Sequence, residues 1–212
     1  MSPDVFIAIL GFAAASSITP GPNNLLVMTS GLNHGVAASL PLVAGISFGF
    51  SFMVLAVGFG LGAVIQTHPG LHTATKAAGL CYMLWLAWKV ATAPTTFEAR
   101  ATDGADDARP LSALAGAAFQ WVNPKAWAVA LSATAAFSTS SGEPHRLIWL
   151  AGIFAVVALV SLTIWAAFGG VLRTLVDNPR AIFAFNLAMA LLLVASAAPI
   201  AYDLALDIAP TT

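Results

Sequence analysis

Charge is scarce in this chain. Of its 212 residues only 8% are Asp, Glu, Lys or Arg, while 59% are hydrophobic and the mean hydropathy is +0.87. A water-soluble domain carries roughly 25% charged residues, so this composition excludes an ordinary soluble globule and, being so apolar, excludes disorder as well. No cluster of Lys and Arg occurs and the net charge is −1. Nucleic acid is therefore not an expected partner, because phosphate neutralisation needs grouped cations. Cysteine is limited to Cys81. One thiol makes neither an intrachain disulfide nor a CxxC pair, which argues against a thiol–disulfide relay and leaves Cys81 as a small buried hydrophobe. The four histidines, His34, His68, His72 and His145, fall in connections without metal-ligand spacing, so no metal and no cofactor are expected. No serine–histidine pairing supports a nucleophile, and the chain is not read as an enzyme. The start, Met1-Ser2-Pro3-Asp4, lacks the basic region of a cleaved signal peptide, so the first apolar run is read as a retained membrane helix.

What the chain has is long apolar runs. They extend over Val5 to Ser30, Val36 to Ile65, Ala74 to Ala93, Leu111 to Phe137, Leu147 to Leu172 and Pro179 to Ala201. Each reaches the length of about 20 residues that a spanning helix requires. The fold class is all-α integral membrane, with about six transmembrane helices. A polar stretch at 94–110, holding Glu98, Arg100, Asp103, Asp106, Asp107 and Arg109, divides the chain into 1–93 and 111–212, each with three runs. Each half opens on a run broken at proline, each second run ends near paired glycines (Gly60 and Gly62; Gly169 and Gly170), and each third run starts with a cation (Lys76, Arg180). These correspondences point to a duplication. Three spans per half would insert the second half upside down, as an inverted repeat within one transporter domain. Lys89, Arg100, Arg109, Arg173 and Arg180 flank the third-to-fourth and fifth-to-sixth connections, against Lys76 and Arg146 on the other side. That side is expected to be cytoplasmic and both termini outside. Trp85 and Trp88 beside Lys89 suit an interfacial anchor. Gly45-x-x-x-Gly49 and Gly58-x-x-x-Gly62 suit close helix packing and permit a homodimer without requiring one.

The broken runs carry the chemistry. The first contains Thr19-Pro20-Gly21-Pro22-Asn23-Asn24, the fourth Asn123-Pro124-Lys125-Ala126. Proline cannot donate a backbone hydrogen bond, and hydrocarbon offers no water to the carbonyls it frees. Paired interruptions of this kind are the best sequence pointer to a transporter binding site. Pro20, Pro22 and Pro124 are the helix breaks. Asn23, Asn24 and Asn123 would either cap half-helices or orient a polar solute, two roles that can coexist. Lys125 lies too deep in its run to reach headgroups, and a cation at the bilayer centre costs at least about 2.5–3.5 kcal/mol. It is expected to face the bundle interior. There it would bind a substrate carboxylate, carry a proton, or brace carbonyls freed at the breaks. Asn186 in the last run suits an interhelical hydrogen bond, and Asp203 and Asp207 a solvated helix end. Candidate solute contacts are thus Lys125, Asn23, Asn24, Asn123 and Gly21.

Three segments together resemble the lysine exporter (LysE/RhtB-type) family. Ser17-Ile18-Thr19-Pro20-Gly21-Pro22-Asn23-Asn24 resembles its first-helix signature, and Phe119-Gln120-Trp121-Val122-Asn123-Pro124-Lys125-Ala126 its fourth-helix motif. Ala78-Gly79-Leu80-Cys81-Tyr82-Met83-Leu84-Trp85-Leu86-Ala87-Trp88-Lys89 resembles its third-helix ending. The resemblance implies secondary export of small neutral amino acids or derivatives across the bacterial inner membrane, with protons as coupling ion. Pro-Gly-Pro-Asn-Asn, Gly31-Leu32-Asn33-His34-Gly35 and the Trp-Leu-Ala-Trp-Lys stretch are most similar to the cysteine/O-acetylserine branch, with homoserine/threonine exporters the near alternative. Many relatives carry Asp where this chain has Asn23, which removes a proton-coupling carboxylate. Val36, Ala37 and Ala38 stand where relatives often carry Arg, so that loop contributes nothing to orientation.

Overall fold

The computed structural model describes residues 2–93, 110–137, 144–175 and 178–208. Among them are nine helices: α1 Pro3–Ile18, α2 Pro22–His34, α3 Val36–Gly58, α4 Leu61–Thr67, α5 Pro69–Ala91, α6 Ala113–Gln120, α7 Pro124–Phe137, α8 Pro144–Leu175 and α9 Pro179–Ile208. No strand occurs among the described residues. Six of the nine helices open on proline. At the first helical position the missing N–H is an orphan anyway and the ring pre-sets φ. Pro22 and Pro124 therefore act as helix starts as much as helix stops.

Both interruptions read from the sequence are present. α1 ends at Ile18 and α2 starts at Pro22, with a 57° bend between their axes. α6 ends at Gln120 and α7 starts at Pro124. By length and hydropathy α3, α8 and α9 can each cross a membrane, and the bent α1–α2 pair passes the same test when its two helices are taken together as one span. The sequence count of six adds α5, 23 residues long but carrying Thr73, Thr75 and Lys76 in its first half, and the split α6–α7 pair. The second apolar run does not continue to Ile65 as one helix. α3 stops at Gly58, and Gly60 turns the chain at φ 106°, a left-handed conformation that glycine adopts without penalty, before α4 begins. The connecting stretch placed at 94–110 lies outside the described residues except for Pro110, and so does the side chain of Asp207.

Packing centres on α2, α3 and α8, which contact one another, while α5 packs on α9. Small residues bring the backbones together. A Cβ on Gly31 of α2 would strike the Ala166 carbonyl of α8, and one on Gly169 of α8 would strike the Met28 carbonyl of α2. Gly45 and Gly49 face Ala113 and Ala117 of α6 in the same way, which is the close approach expected of that motif. Two apolar clusters result. One joins α2, α3, α5, α6, α8 and α9 around Leu42, Ile46, Met83, Phe119 and Leu193; the other joins α1, α3, α7 and α8 around Ile9, Met53, Leu150 and Phe154. Outside them, Val156, Val160, Ile164 and Phe168 form an exposed stripe along α8, and Phe48 and Phe52 are exposed on α3. Such a belt is stable only against lipid. Cys81 is exposed rather than buried, because it lies on the outer side of α5, away from the buried Met83, Leu86 and Ala87.

Replacing Gly169 with Leu is expected to abolish the α2–α8 seam, since backbone rather than a flexible side chain must yield and overpacking alone costs about 1–3 kcal/mol. The mutant should lose its monodisperse peak on size-exclusion chromatography in detergent. Gly152→Leu, where a Cβ meets nothing within 4 Å, should elute as wild type.

Candidate functional site

The two breaks meet. One cavity is lined by Gly21, Asn23 and Asn24 from the first break and by Asn123, Lys125 and Ala126 from the second, with Phe50 of α3 and Phe154 of α8 as apolar walls. It lies where the two apolar clusters adjoin, for Ile46 and Leu162 belong to one and Phe50 and Phe154 to the other. A sphere the size of water can move its centre through about 50 Å³, room for a few waters.

The first break leaves the last carbonyls of α1 without helical donors. Side chains from distant elements take them up. Asn24 Nδ2 donates to Ser17 O at 2.9 Å and to Thr19 O at 3.4 Å. Ser161 Oγ of α8 donates to Ser17 O at 3.0 Å. Lys125 Nζ, reaching across from the start of α7, donates to Thr19 O. The ammonium thus sits at the negative end of the α1 dipole. Gly21 provides its space. The backbone there is extended (φ −170°) and would accept any residue, but a Cβ would come within 2.8 Å of Lys125 Cδ and 3.0 Å of its Nζ.

The three amides predicted at the site have different duties. Asn123 caps α7, its Oδ1 accepting from Lys125 N at 3.1 Å. Asn23 caps nothing. Its Nδ2 donates to Gln120 Oε1 at 2.9 Å, and its Oδ1 accepts from Gln120 Nε2 at 3.1 Å and from Asn123 Nδ2 at 3.2 Å. Gln120 is further anchored to Gly116 O at 3.0 Å. Asn24 braces α1. The N-cap of α2 is Gly21, which offers no side-chain bond; Pro22 has no N–H and Leu25 N donates to Gly21 O at 3.0 Å, which leaves the Asn23 and Asn24 backbone amides as the first-turn donors of two cavity-lining residues. The arrangement can receive a carboxylate at the ammonium and the α2 N-terminus, and a short apolar side chain between the two phenylalanines. No Asp or Glu lines it among the described residues.

Gln120 and Ser161 were not singled out from sequence. Gln120, a fully buried polar side chain next to the break, could have been, because a lone amide in an apolar run needs a partner; Ser161 gives no such signal. Asn186 makes the interhelical bond expected of it, a reciprocal amide pair with Asn33 at 3.0 and 3.3 Å. His68 and His145 are exposed, whereas His34, the last residue of α2, is half-buried, and the side chain of His72 lies outside the described residues. No three residues of the His, Cys, Asp and Glu types converge among the described residues.

Removing one amide of the Asn23–Gln120 pair costs the other two hydrogen bonds and leaves it only its remaining partner, Asn123 for Asn23 or Gly116 O for Gln120. Interhelical hydrogen bonds in membrane proteins couple by about 0.6 kcal/mol on average and 1.7 at most. A thermal-unfolding double-mutant cycle with Asn23→Leu and Gln120→Leu should return a coupling near the upper end, since two bonds are made.

The family described as LysE type translocator matches residues 14–204. The chain is 32% identical over 206 residues to the cysteine/O-acetylserine efflux proteins of Escherichia coli (strain K12), Shigella sonnei (strain Ss046) and Shigella flexneri serotype 5b (strain 8401), the alignment covering 95% of this chain and 100% of each relative. No solved structure matches.

Proposed function

The chain belongs to the LysE type translocator family, and on that premise we propose that it exports small neutral amino acids of the cysteine or O-acetylserine kind through the cavity where its broken helices meet. The observation that carries this reading is one cavity holding both breaks, a lysine and three asparagines, with no carboxylate in its lining. The solute carboxylate replaces part of the Lys125 contact to Thr19 O and reaches the open amides of α2. The solute's remaining polar groups compete for the Asn23–Gln120–Asn123 network, and its short side chain lies against Phe50 and Phe154. A cationic amino acid finds no counter-charge there, and a second ammonium beside Lys125 is repelled. Translocation follows alternating access: differential contact with the solute in each state is what shifts the equilibrium.

The reading takes the chain as six spans in two inverted three-helix repeats, 1–93 and 111–212. Support comes from corresponding elements pairing with each other, α3 with α8 and α5 with α9, and from the cavity lying between the two breaks. Orientation follows the cations. His34 and Lys89 line one cavity, and a side chain on Gly35 would meet the Arg173 guanidinium. The C-terminal ends of α2, α5 and α8 therefore share one face, taken as cytoplasmic in an inner membrane with both termini outside. Protons are the proposed coupling ion. Lys125 is the ionisable side chain of the cavity lining, so it would carry the proton, or the solute would.

Cells overproducing the protein should accumulate cysteine, O-acetylserine or a close neutral analogue in the medium, and should not accumulate lysine or arginine. Lys125→Ala should reduce export at least tenfold at wild-type expression, and Gly21→Ala, which displaces the ammonium, by a smaller factor. Unchanged export by Lys125→Ala would remove the ammonium from the mechanism, and export that survives an uncoupler would remove the proton.

A further inference from the structure

A second cavity lies further along α2, on the face taken as cytoplasmic. α2 contributes Thr29, Ser30, Asn33 and His34, and α5 contributes Lys89 and Val90. Its open space matches the first, about 50 Å³ by the same measure. Five residues of helix separate Asn24 from Thr29, about 8 Å along the axis.

Among the described residues, the hydroxyls and the amide of this lining leave one group over. Ser39 Oγ spends its proton on Gly35 O at 2.9 Å, so Ser30 Oγ donates in its 2.8 Å contact with Ser39 Oγ. Asn33 is paired with Asn186. Thr29 is 3% exposed, and its Oγ1 has no partner among the described residues. A helical threonine has a ready partner in the carbonyl four residues back, and Thr134 and Thr163 use it at 2.8 and 2.6 Å. Thr29 does not. An unmet buried hydroxyl is a cost to the fold, so the fold gains nothing from oxygen at this position; valine of the same shape would serve it better.

We infer that this cavity is a second solute station, at which the Thr29 hydroxyl hydrogen-bonds the exported amino acid on its way to the broken-helix cavity. The inference rests on the export reading above. The two cavities share a chemistry: each joins a lysine, at least one asparagine and hydroxyl side chains to apolar walls, and neither lining contains Asp or Glu among the described residues. The same class of solute, a small zwitterion led by its carboxylate, therefore suits both. Position gives the order. An exporter loads from the cytoplasm, and this cavity lies on that side of the first.

Counterflow of labelled cysteine and O-acetylserine into proteoliposomes of the full-length protein tests this, with KM and Vmax measured for Thr29→Val and Thr29→Ser alongside thermal unfolding. Thr29→Val should raise KM about tenfold while its unfolding temperature stays at or above that of wild type. Thr29→Ser, which restores the hydroxyl, should return KM to within about twofold. Unchanged KM in Thr29→Val means that only water meets the hydroxyl, and overturns the second station while leaving the export reading intact. A rise in KM accompanied by a lower unfolding temperature would assign Thr29 to packing, with the same result. Wild-type protein that exchanges neither solute, nor homoserine or threonine, overturns the export reading and this inference with it.

Discussion

The bare carbonyls at the end of α1 are the constraint around which the centre of this molecule is built. Pro20 and Pro22 remove two donors in three residues, and an apolar surrounding cannot replace them. Donors must be brought from elsewhere in the chain. Asn24 comes from the next helix, Ser161 from α8 and Lys125 from the start of α7. Each bond ties the first break to a different element, so the interruption is also a joint. The cavity is a by-product of the same geometry. Where helices stop in mid-span they leave space, and the groups that meet the stranded carbonyls line it.

The second break is held differently. Asn123 caps α7 with its own side chain, and Trp127 Nε1 donates to Trp121 O at 2.8 Å, so the turn between α6 and α7 satisfies itself locally. Gln120 then faces the first break rather than its own. This asymmetry gives Lys125 both a bracing contact on the first break and a place in the cavity lining. Its ammonium has three protons, of which the Thr19 carbonyl takes one. Of the three roles read from the sequence, bracing is the contact present in the structure; binding a carboxylate and carrying a proton belong to the proposal above.

Much of this was legible in the sequence wherever a residue violated its surroundings. Proline in an apolar run marks a helix end by the loss of a donor, and both ends fall where the prolines put them. Lys125 was legible because its charge has so few tolerable positions. Gly45 and Gly49 were legible as a contact face by spacing, but not their partner, since a small residue says that a backbone comes close without saying which. Gln120 was legible as an amide in need of a partner but not as to which one, and Ser161 and Thr29 were illegible for a related reason: one polar atom on a helix is compatible with a back-bond, a bridge or a ligand, and only the neighbour's position decides. The α3–α4 turn was missed because Gly60 sits among residues as apolar as a span, where its φ of 106° leaves no trace in hydropathy.

The clasps on α2 have a consequence for how acidity is felt. Asn23 with Gln120 at one end and Asn33 with Asn186 at the other are carboxamides meeting carboxamides. None gains or loses a hydrogen ion anywhere in the range a bacterium experiences, and each offers two equivalent strands that can trade places with an incoming guest. The rod between them keeps its footing whatever the medium's sourness. Acidity therefore finds no purchase on either clasp.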